Sequence, residues 1–307
     1  MLNGHLDTVS LASYDGDGLT AEERDGNLYG RGAYDMKSGV GAIMMAAATA
    51  AAHPHAGDIV VALVADEEWG SAGTEEILRH VVTDTARRGR TQRTRRRRGA
   101  PRVRVGGGHH PRHGHPRIQT RSRCRRDRQS RTIPHRHRRP RPTVGRIAPH
   151  PTVAVGSVHA STISGGEEAS SYPDRCTIVV ERRTIPGETA QTIEEELRQI
   201  LDATAATDPE FRYSLLITAS RSPFAAQLPS RIQEVVTTSY SKATGAAPVV
   251  RGEPFWTDCA LLAEAGVDTV LFGVDGGGAH AATESVTLVS LHTVTEVLAA
   301  TIRSMAD

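Results

Sequence analysis

The chain has 307 residues with 37 basic and 35 acidic side chains, so it is long enough for one large domain or two medium ones. Its three cysteines are far apart and in no C-x-x-C spacing, which argues against a disulfide framework or a structural zinc knuckle. No run of about 18 apolar residues occurs, and the N-terminus lacks the basic and apolar regions of a secretion signal. We therefore expect a soluble cytoplasmic protein.

The charge is distributed unevenly along the chain. Between Arg87 and Arg146 there are 23 Arg and one acid, Asp127, a net charge of +22, whereas the whole chain carries only +2. The same stretch contains no Leu, Phe, Tyr, Trp, Met, Lys, Glu or Asn. Arg without Lys, joined to Gly, Pro, His and Thr, is what a GC-rich gene yields when it is read out of frame. We hypothesise that residues 83–147, here called the arginine-rich segment, are frameshifted and disordered.

The residues before this segment alternate between strands and helices. We predict buried strands at Leu2–Val9 and Asp58–Ala65, a loop or hairpin at Asp15–Gly32, and helices at Lys37–Ala52 and Gly73–Val82. The helical period of the first helix predicts an inward face made of Val40, Ile43, Met44, Ala47, Ala48 and Ala51. This alternation is typical of a parallel α/β sheet, whose binding crevice lies at the carboxyl ends of its strands.

A small α+β unit follows the arginine-rich segment. Its predicted elements are strands Val153–Ile163, Cys176–Arg182 and Tyr213–Ala219, and helix Thr189–Ala205 with Ile193, Leu197, Ile200 and Leu201 inward. The α/β character then returns, with helices Ser230–Lys242, Thr257–Ala265 and Ser290–Met305 and strand Thr269–Phe272. This order predicts one α/β domain, residues 1–82 and 223–307, into which a smaller domain, residues 148–222, is inserted.

Acidic and imidazole side chains lie at predicted strand ends and loops of both α/β pieces. They are His5 and Asp7 in G-H-L-D-T-V, Asp35 in G-R-G-A-Y-D-M-K, Glu67 and Glu68 in D-E-E-W-G, and His280 in G-G-G-A-H-A-A-T-E. Since residues i and i+2 of a strand face the same way, Asp7 can hold the His5 ring while its other nitrogen binds a metal. A bridging Asp35, Glu68 and two imidazoles would suit zinc, with Glu67 as general base.

Each of these features alone has a more ordinary explanation. A histidine near a strand end is commonly just a polar residue, and a D-E-E triplet is commonly a solvated loop. Gly276–Gly278 is not followed by Lys-Ser/Thr, so a permissive turn is favoured over a phosphate-binding loop. It is the joint occurrence of the motifs in this order that favours a metal site.

These motifs, together with E-R-R-T-I-P-G-E at residues 181–188, resemble the successive signatures of the co-catalytic zinc metallopeptidase family. That family includes acetylornithine deacetylase, succinyl-diaminopimelate desuccinylase, aminoacylase and carboxypeptidase G. The resemblance covers about residues 2–82 and 151–307. It implies a mixed α/β sheet flanked by helices, an inserted α+β lid domain that forms homodimers, and hydrolysis of amide bonds in N-acyl amino acids or short peptides with two zinc ions or cobalt.

The resemblance also implies roles for individual residues. The metal ligands would be His5, Asp35, Glu68 and His280, with Asp35 bridging the two ions. Asp7 would orient His5, and Glu67 would act as general base and then as general acid. Arg183 matches the lid arginine that binds the substrate carboxylate, a role that suits a bidentate guanidinium.

One expected acidic ligand and a lid histidine are missing from the sequence. In the family both lie in the region that the arginine-rich segment replaces. The only acids between residues 76 and 167 are Asp84 and Asp127, and no histidine in His109–His137 lies in a recognisable lid context. We therefore expect one zinc ion or none and little activity, and the sequence leaves it open whether the family's homodimer forms.

Two further departures from the family are smaller. Met1 precedes His5 by only four residues, where the family has several tens, so the chain reads as N-terminally truncated. Ser170 stands where the lid motif often has Asn.

Two other functional classes remain open. An arginine-rich protein could bind nucleic acid through its phosphates, although the segment has no aromatic residue to stack on bases. The second alternative is a catalytically inactive family member, which zinc content would distinguish from the enzyme.

Overall fold

The computed structural model describes residues 1–81, 102–104, 116–121, 156–170, 173–253 and 255–306, with the backbone alone at 102–104, 116–121, 161 and 306. The chain forms two compact units. The first comprises Met1–Arg112, Phe224–Val250 and Phe255–Asp307, and the second comprises His113–Pro223 and Arg251–Pro254. The domain boundaries at residues 82, 147 and 222 stay predictions.

Strands and helices are numbered in chain order. The strands are β1 (Leu2–His5), β2 (Glu22–Arg24), β3 (Asn27–Tyr29), β4 (Val61–Val64), β5 (Arg102–Arg104), β6 (Pro116–Arg121), β7 (Ser157–Gly165), β8 (Cys176–Arg183), β9 (Arg212–Ile217), β10 (Thr269–Leu271), β11 (Gly276–Gly277) and β12 (Ser285–Thr287). The helices are α1 (Ser38–Ala51), α2 (Ala72–His80), α3 (Ala190–Thr207), α4 (Arg231–Thr244), α5 (Cys259–Glu264) and α6 (Leu288–Ala306). Within the described part of the chain, no helix combines the length and the apolar character that crossing a membrane requires.

The first unit contains a parallel sheet of four strands in the order β10-β5-β1-β4. β1 pairs with β4 so that Leu2 lies opposite Val61 and His5 lies opposite Val64. Both strands therefore end at the same edge of the sheet. This parallel sheet with its helices confirms the predicted α/β fold class.

A second sheet of the first unit joins two distant parts of the chain. Its antiparallel strands run in the order β11-β12-β3-β2, and Leu28 of β3 lies opposite Val286 of β12. Sequence reasoning predicted only a permissive turn at Gly276–Gly278, whereas the first two of these glycines form β11. Gly278 has a φ of 80°, and a Cβ there would lie 2.0 Å from the backbone oxygen of Thr283. Pairing of β12 with β3 brings the loop before β12 next to the loop after β3.

Helix α1 packs against both β1 and α6. The inward face predicted for this helix is wrong at Met44, Ala48 and Ala51, which are exposed. The alanines that are buried in addition to the predicted positions are Ala42, Ala46 and Ala50. Because α1 contacts the sheet on one side and α6 on another, its buried surface is rotated relative to the predicted single stripe.

The second unit contains an antiparallel sheet in the order β7-β8-β6-β9, with α3 packed against β9. Ile193 and Leu201 of α3 are buried as predicted, and Leu197 packs beside them. Ile200 is 48% exposed, so its predicted inward position is wrong. One face of α3 covers the sheet, and Ile200 lies outside that face.

Two short stretches of the arginine-rich segment are described. β5 lies between β10 and β1 in the first unit, and β6 lies between β8 and β9 in the second. The disorder predicted for the rest of the segment, and the acids Asp84 and Asp127, lie outside the described residues.

Candidate metal centre

The turn after β4 separates the roles of its three consecutive acids. Asp66 has a φ of 70°, and its backbone oxygen accepts a hydrogen bond from Gly70 N at 2.8 Å. Its side-chain Oδ2 accepts from Ala72 N at 3.2 Å, which satisfies an amide at the start of α2. Asp66 thus closes the turn, whereas Glu67 and Glu68 lie at the end of the parallel sheet.

His5, the last residue of β1, is 1% exposed. Its Nδ1 lies 3.0 Å from the backbone oxygen of Asp7, which can only accept, so Nδ1 carries a proton. Its Nε2 lies 3.0 Å from Asp35 Oδ1 and 3.7 Å from Glu67 Oε2. Burial alone would lower the pKa of His5, but the hydrogen bonds to Asp35 and Asp7 outweigh burial and raise this pKa to about 10.

Asp7 lies beyond the end of β1, so the predicted alignment with His5 along a strand is wrong. The carboxylate Oδ1 of Asp7 is 3.6 Å from His5 Nδ1, farther than the backbone oxygen of the same residue. Its two carboxylate oxygens accept from the backbone N of Glu67 at 3.3 Å and of Glu68 at 3.0 Å. Burial alone would raise the pKa of the Asp7 carboxyl, but the hydrogen bonds from His5 and Glu68 lower it to about 2. Asp7 therefore ties the end of β1 to the turn after β4.

Asp35 lies between the two imidazoles and is 3% exposed. Its Oδ1 is 3.0 Å from His5 Nε2, and its Oδ2 is 3.5 Å from His280 Nε2. Lys37 Nζ donates to the backbone oxygen of Leu6 at 2.6 Å, which holds the start of α1 against the end of β1. A carboxylate with one oxygen toward each ring is oriented to bridge two cations.

Glu68 and His280 form the other side of the site. Glu68 Oε2 lies 3.1 Å from His280 Nε2, and His280 has a φ of 62° in the loop before β12. Burial alone would lower the pKa of His280, but the neighbouring carboxylates of Asp35 and Glu68 raise it to about 9. Burial raises the pKa of the Glu68 carboxyl, and the neighbouring His280 ring opposes this only in part.

The side chains present fit a divalent cation. Glu68 Oε1 is buried and has no hydrogen-bond partner among the described residues. Each of three residues, His5, Asp35 and Glu68, offers one ligand atom, and these three atoms lie within 4.8 Å of one another. Buried carboxylates require compensating positive charge, and a set of imidazole and carboxylate ligands suits zinc. The carboxylates around the two imidazoles raise the pKa of both rings, so a bound cation would compete with their protons.

A buried chain of hydrogen bonds fixes α2 against β1. Asn3 Nδ2 donates to Thr74 Oγ1 at 3.2 Å, and Thr74 Oγ1 donates to Asp258 Oδ2 at 2.7 Å. Trp256 Nε1 donates to Ser71 Oγ at 3.2 Å, next to the first residue of α2. No motif in the sequence indicated these contacts. They hold the turn that carries the two glutamates.

Arg183 ends β8 in the second unit. Its Nε donates to Glu181 Oε1 at 3.1 Å, so the guanidinium already binds a carboxylate of its own strand. The neighbouring Arg182 is partly buried and pairs with the buried Glu188, whose Oε2 also accepts from Ile185 N at 2.8 Å. Sequence reasoning singled out Arg183 and missed the Arg182–Glu188 pair that holds the turn after it.

Sequence reasoning also missed Glu284. It is the last residue of G-G-G-A-H-A-A-T-E and is 1% exposed. Its carboxylate accepts from the backbone N of Asp35 at 2.9 Å and from Arg31 Nη1 at 3.0 Å. The only sequence signal for it is its position four residues after His280.

Imidazoles and carboxylates that converge at the carboxyl ends of parallel strands are typical of the α/β metal-dependent hydrolases. The chain belongs to one family within that class, peptidase family M20/M25/M40, whose model matches residues 1–304. The family resemblance inferred from the motifs is thereby confirmed.

Individual relatives agree with this assignment. The chain is 28% identical over 285 residues to acetylornithine deacetylase from Myxococcus xanthus, a match that covers 89% of this chain and 70% of that protein. It is 49% identical over 70 residues to succinyl-diaminopimelate desuccinylase from Bordetella petrii, which covers 21% of this chain and only 18% of that protein. The solved structure of the di-peptidase Dug1p from Saccharomyces cerevisiae matches with a TM-score of 0.68 at 11% identity, over 99% of this chain and 79% of that one, and shows the shared fold.

Proposed function

We propose that this chain is a zinc-dependent hydrolase of amide bonds in N-acyl amino acids or short peptides. The observation that supports this most directly is the position of Asp35, whose two carboxylate oxygens face His5 and His280 at 3.0 and 3.5 Å. The buried Glu68 Oε1, which lacks a hydrogen-bond partner among the described residues, supports the same function.

In this proposal Asp35, Glu68 and His280 would hold one ion, and His5 with Asp35 would belong to the position of a second. Bound zinc would polarise the amide carbonyl and lower the pKa of a water to about 7. Glu67 Oε2 lies 3.7 Å from His5 Nε2, beside the ligand atoms. Its carboxylate would take a proton from the attacking water and pass that proton to the leaving nitrogen. Asp7 would keep the proton on His5 Nδ1 through its backbone oxygen, so that Nε2 is left for the metal.

The substrate class follows from Arg183 and from the relatives. We propose that the Arg183 guanidinium binds the free carboxylate of an N-acyl amino acid or peptide. Its present partner is Glu181, so a substrate carboxylate would replace that internal contact. Two relatives are named for removing acetyl and succinyl groups from amino-acid nitrogens, which makes both acyl groups reasonable first substrates.

We also propose that activity in this chain is impaired. The sequence offers only Asp84 and Asp127 as acids between residues 76 and 167, where the resemblance implies one more ligand. A single zinc ion would then be held by Asp35, Glu68 and His280. Two bound zinc ions with ordinary turnover would contradict this part of the proposal.

Two neighbouring glutamates provide the test. Zinc content is measured by mass spectrometry, and hydrolysis is measured with N-acetyl and N-succinyl amino acids. We expect Glu67→Gln to retain zinc but to lower kcat about 10²–10⁴-fold, the usual contribution of a general base. We expect Glu68→Gln to lose zinc. An unchanged kcat in Glu67→Gln would refute its role, and zinc binding without any hydrolysis in the unmodified chain would favour the inactive family member.

A further inference from the structure

The carboxylate of Glu284 accepts several hydrogen bonds from the loop that carries Asp35. Its Oε1 accepts from the backbone N of Tyr34 at 3.0 Å and of Asp35 at 2.9 Å. Its Oε2 accepts from the backbone N of Gly32 at 2.9 Å and from Arg31 Nη1 at 3.0 Å. Each carboxylate oxygen of Glu284 thus accepts two hydrogen bonds, and all four donors lie within residues 31–35.

The Arg31 side chain extends this anchor to the loop of the second imidazole. Arg31 and Glu284 form an ion pair in which the side chains are 2% and 1% exposed. Arg31 Nη2 also donates to the backbone oxygen of Ala281 at 3.0 Å, one residue after His280. The pair therefore contacts both loops whose side chains face each other across the proposed metal position.

This arrangement exceeds what charge neutralisation requires. A buried Glu–Arg pair neutralises its charge by mutual contact and needs further hydrogen bonds for its remaining lone pairs, but nothing requires those donors to come from the loop of a proposed metal ligand. Here the carboxylate also accepts from three amides of that loop, those of Gly32, Tyr34 and Asp35 itself. Metal ligands must be held within about 0.5 Å of their productive positions, and backbone anchors next to a ligand provide that restraint.

We propose that Glu284 is a positioning residue that fixes Asp35, and through Arg31 also fixes His280, for metal binding. This inference rests on the proposed function, because it takes Asp35 and His280 as ligands. Glu284 itself does not touch the metal position in this proposal. It acts through the amide of Asp35 on one side and through the backbone of Ala281 on the other.

The chain contains a matched control for a purely structural role. Arg182 and Glu188 are also a buried Arg–Glu pair, with side chains 9% and 1% exposed. Glu188 likewise accepts from a backbone amide, that of Ile185 at 2.8 Å. This pair belongs to the second unit and anchors none of the proposed metal ligands. Glu188→Gln therefore removes the same kind of ion pair without touching the candidate metal centre.

The experiment compares the full chain with its Glu284→Gln, Glu284→Asp and Glu188→Gln variants. Titration calorimetry with zinc chloride measures metal affinity, and hydrogen exchange of residues 32–35 in the metal-free protein measures the anchor itself. A Gln at 284 turns an NH₂ group toward two of the four donors. We expect it to weaken zinc binding about 10–100-fold and to speed exchange of these amides, with a smaller effect of Asp. Glu188→Gln should leave zinc affinity within about twofold.

The results distinguish a positioning role of Glu284 from a purely structural one. Unchanged zinc affinity and unchanged exchange at residues 32–35 in a folded Glu284→Gln would overturn the inference, even if the melting temperature fell. If that variant does not fold, Glu284→Asp decides by the same two measurements. Failure of the unmodified chain to bind zinc would instead overturn the proposed function, while faster exchange in the variant would still establish that Glu284 positions Asp35.

Discussion

The two imidazoles that face Asp35 differ in how the chain holds them. His5 ends a central strand, is 1% exposed, and has its Nδ1 fixed by the backbone oxygen of Asp7. His280 lies in a loop at a φ of 62°, has a side chain that is 21% exposed, and contacts Glu68. One side of the site is therefore built from strand ends, and the other side is built from a loop.

This difference predicts unequal consequences for folding and for metal binding. A ring at the end of a buried strand contributes to packing, so its loss should affect stability as well as chemistry. The His280 ring, with 21% of its side chain exposed on a loop, contributes less packing, so its loss should affect mainly the metal. Glu68 comes from the turn after β4, but its Oε2 lies 3.1 Å from His280 Nε2 and its Oε1 has no hydrogen-bond partner among the described residues, which makes the His280 side the better candidate for a single ion.

Asp35→Asn should have the largest effect, because it removes the carboxylate that both sides share. We expect zinc affinity to fall by more than about 100-fold, the upper range for loss of an outer partner of a ligand. Titration calorimetry with zinc measures this. Asp25→Asn, the same change at an exposed turn of the same unit, is the control and should leave affinity unchanged. Zinc binding retained by Asp35→Asn would show that the two imidazoles do not share a bridging carboxylate.

Replacing each histidine by alanine separates the two sides. We expect His280→Ala to lose about 100-fold in zinc affinity with little change in melting temperature. We expect His5→Ala to lower the melting temperature more and zinc affinity less, because its ring is buried and the single ion is proposed to bind on the loop side. His292→Ala, on the exposed surface of α6, controls for loss of an imidazole. The reverse ranking of the two affinities would place the ion on the strand side.

The sequence predicted the strand side of the site better than the loop side. His5 lies in a predicted buried strand and Glu67 comes just after an apolar run, and parallel strands that end at one edge bring such residues together. The position of Asp7 could not be derived in the same way, since β1 stops at His5 and the residues after it leave the strand. The sequence predicted a helix at α1, but the face that this helix buries depends on its contact with α6. The spacing of apolar residues within α1 carries no information about that contact.

The anchor at Glu284 could not be predicted from the sequence. Its contact with the Asp35 loop depends on pairing of β12 with β3, and these strands have three residues each. Strands of this length give no clear alternation of apolar and polar residues. The two residues of β11 are glycines, which have a weak strand preference. Pairing between segments more than 250 residues apart is a property of the folded chain alone.

Asp7→Asn should have a moderate effect, which acts through the turn that carries Glu67 and Glu68. The change removes the charge of a carboxylate that accepts from the backbone N of Glu67 and Glu68. We expect zinc affinity or activity to fall about 10-fold, as for other outer partners of metal ligands. Asp17→Asn is a close control, because exposed Asp17 also accepts from a backbone amide, that of Leu19 at 2.9 Å. If the two substitutions had equal effects, Asp7 would have no role in metal binding beyond that of an ordinary turn residue.

The smallest expected effect is the pH dependence of the metal-free protein, and it compares the two rings directly. The pKa values of His5 and His280 are raised from 6.5 to about 10 and about 9. Folding therefore favours their protonated forms, and the stability gained is complete below pH 6.5 and is lost as pH rises through about 9 and then about 10. We expect the melting temperature of chelator-treated protein to fall by a few degrees between about pH 7 and 10, since about 1 kcal/mol corresponds to about 2–4 °C in large domains. His280→Ala should remove the lower part of this decrease and His5→Ala the upper part. A melting temperature that stays constant over this range would mean that the imidazoles are not protonated next to Asp35, and that the carboxylates obtain their compensating charge elsewhere.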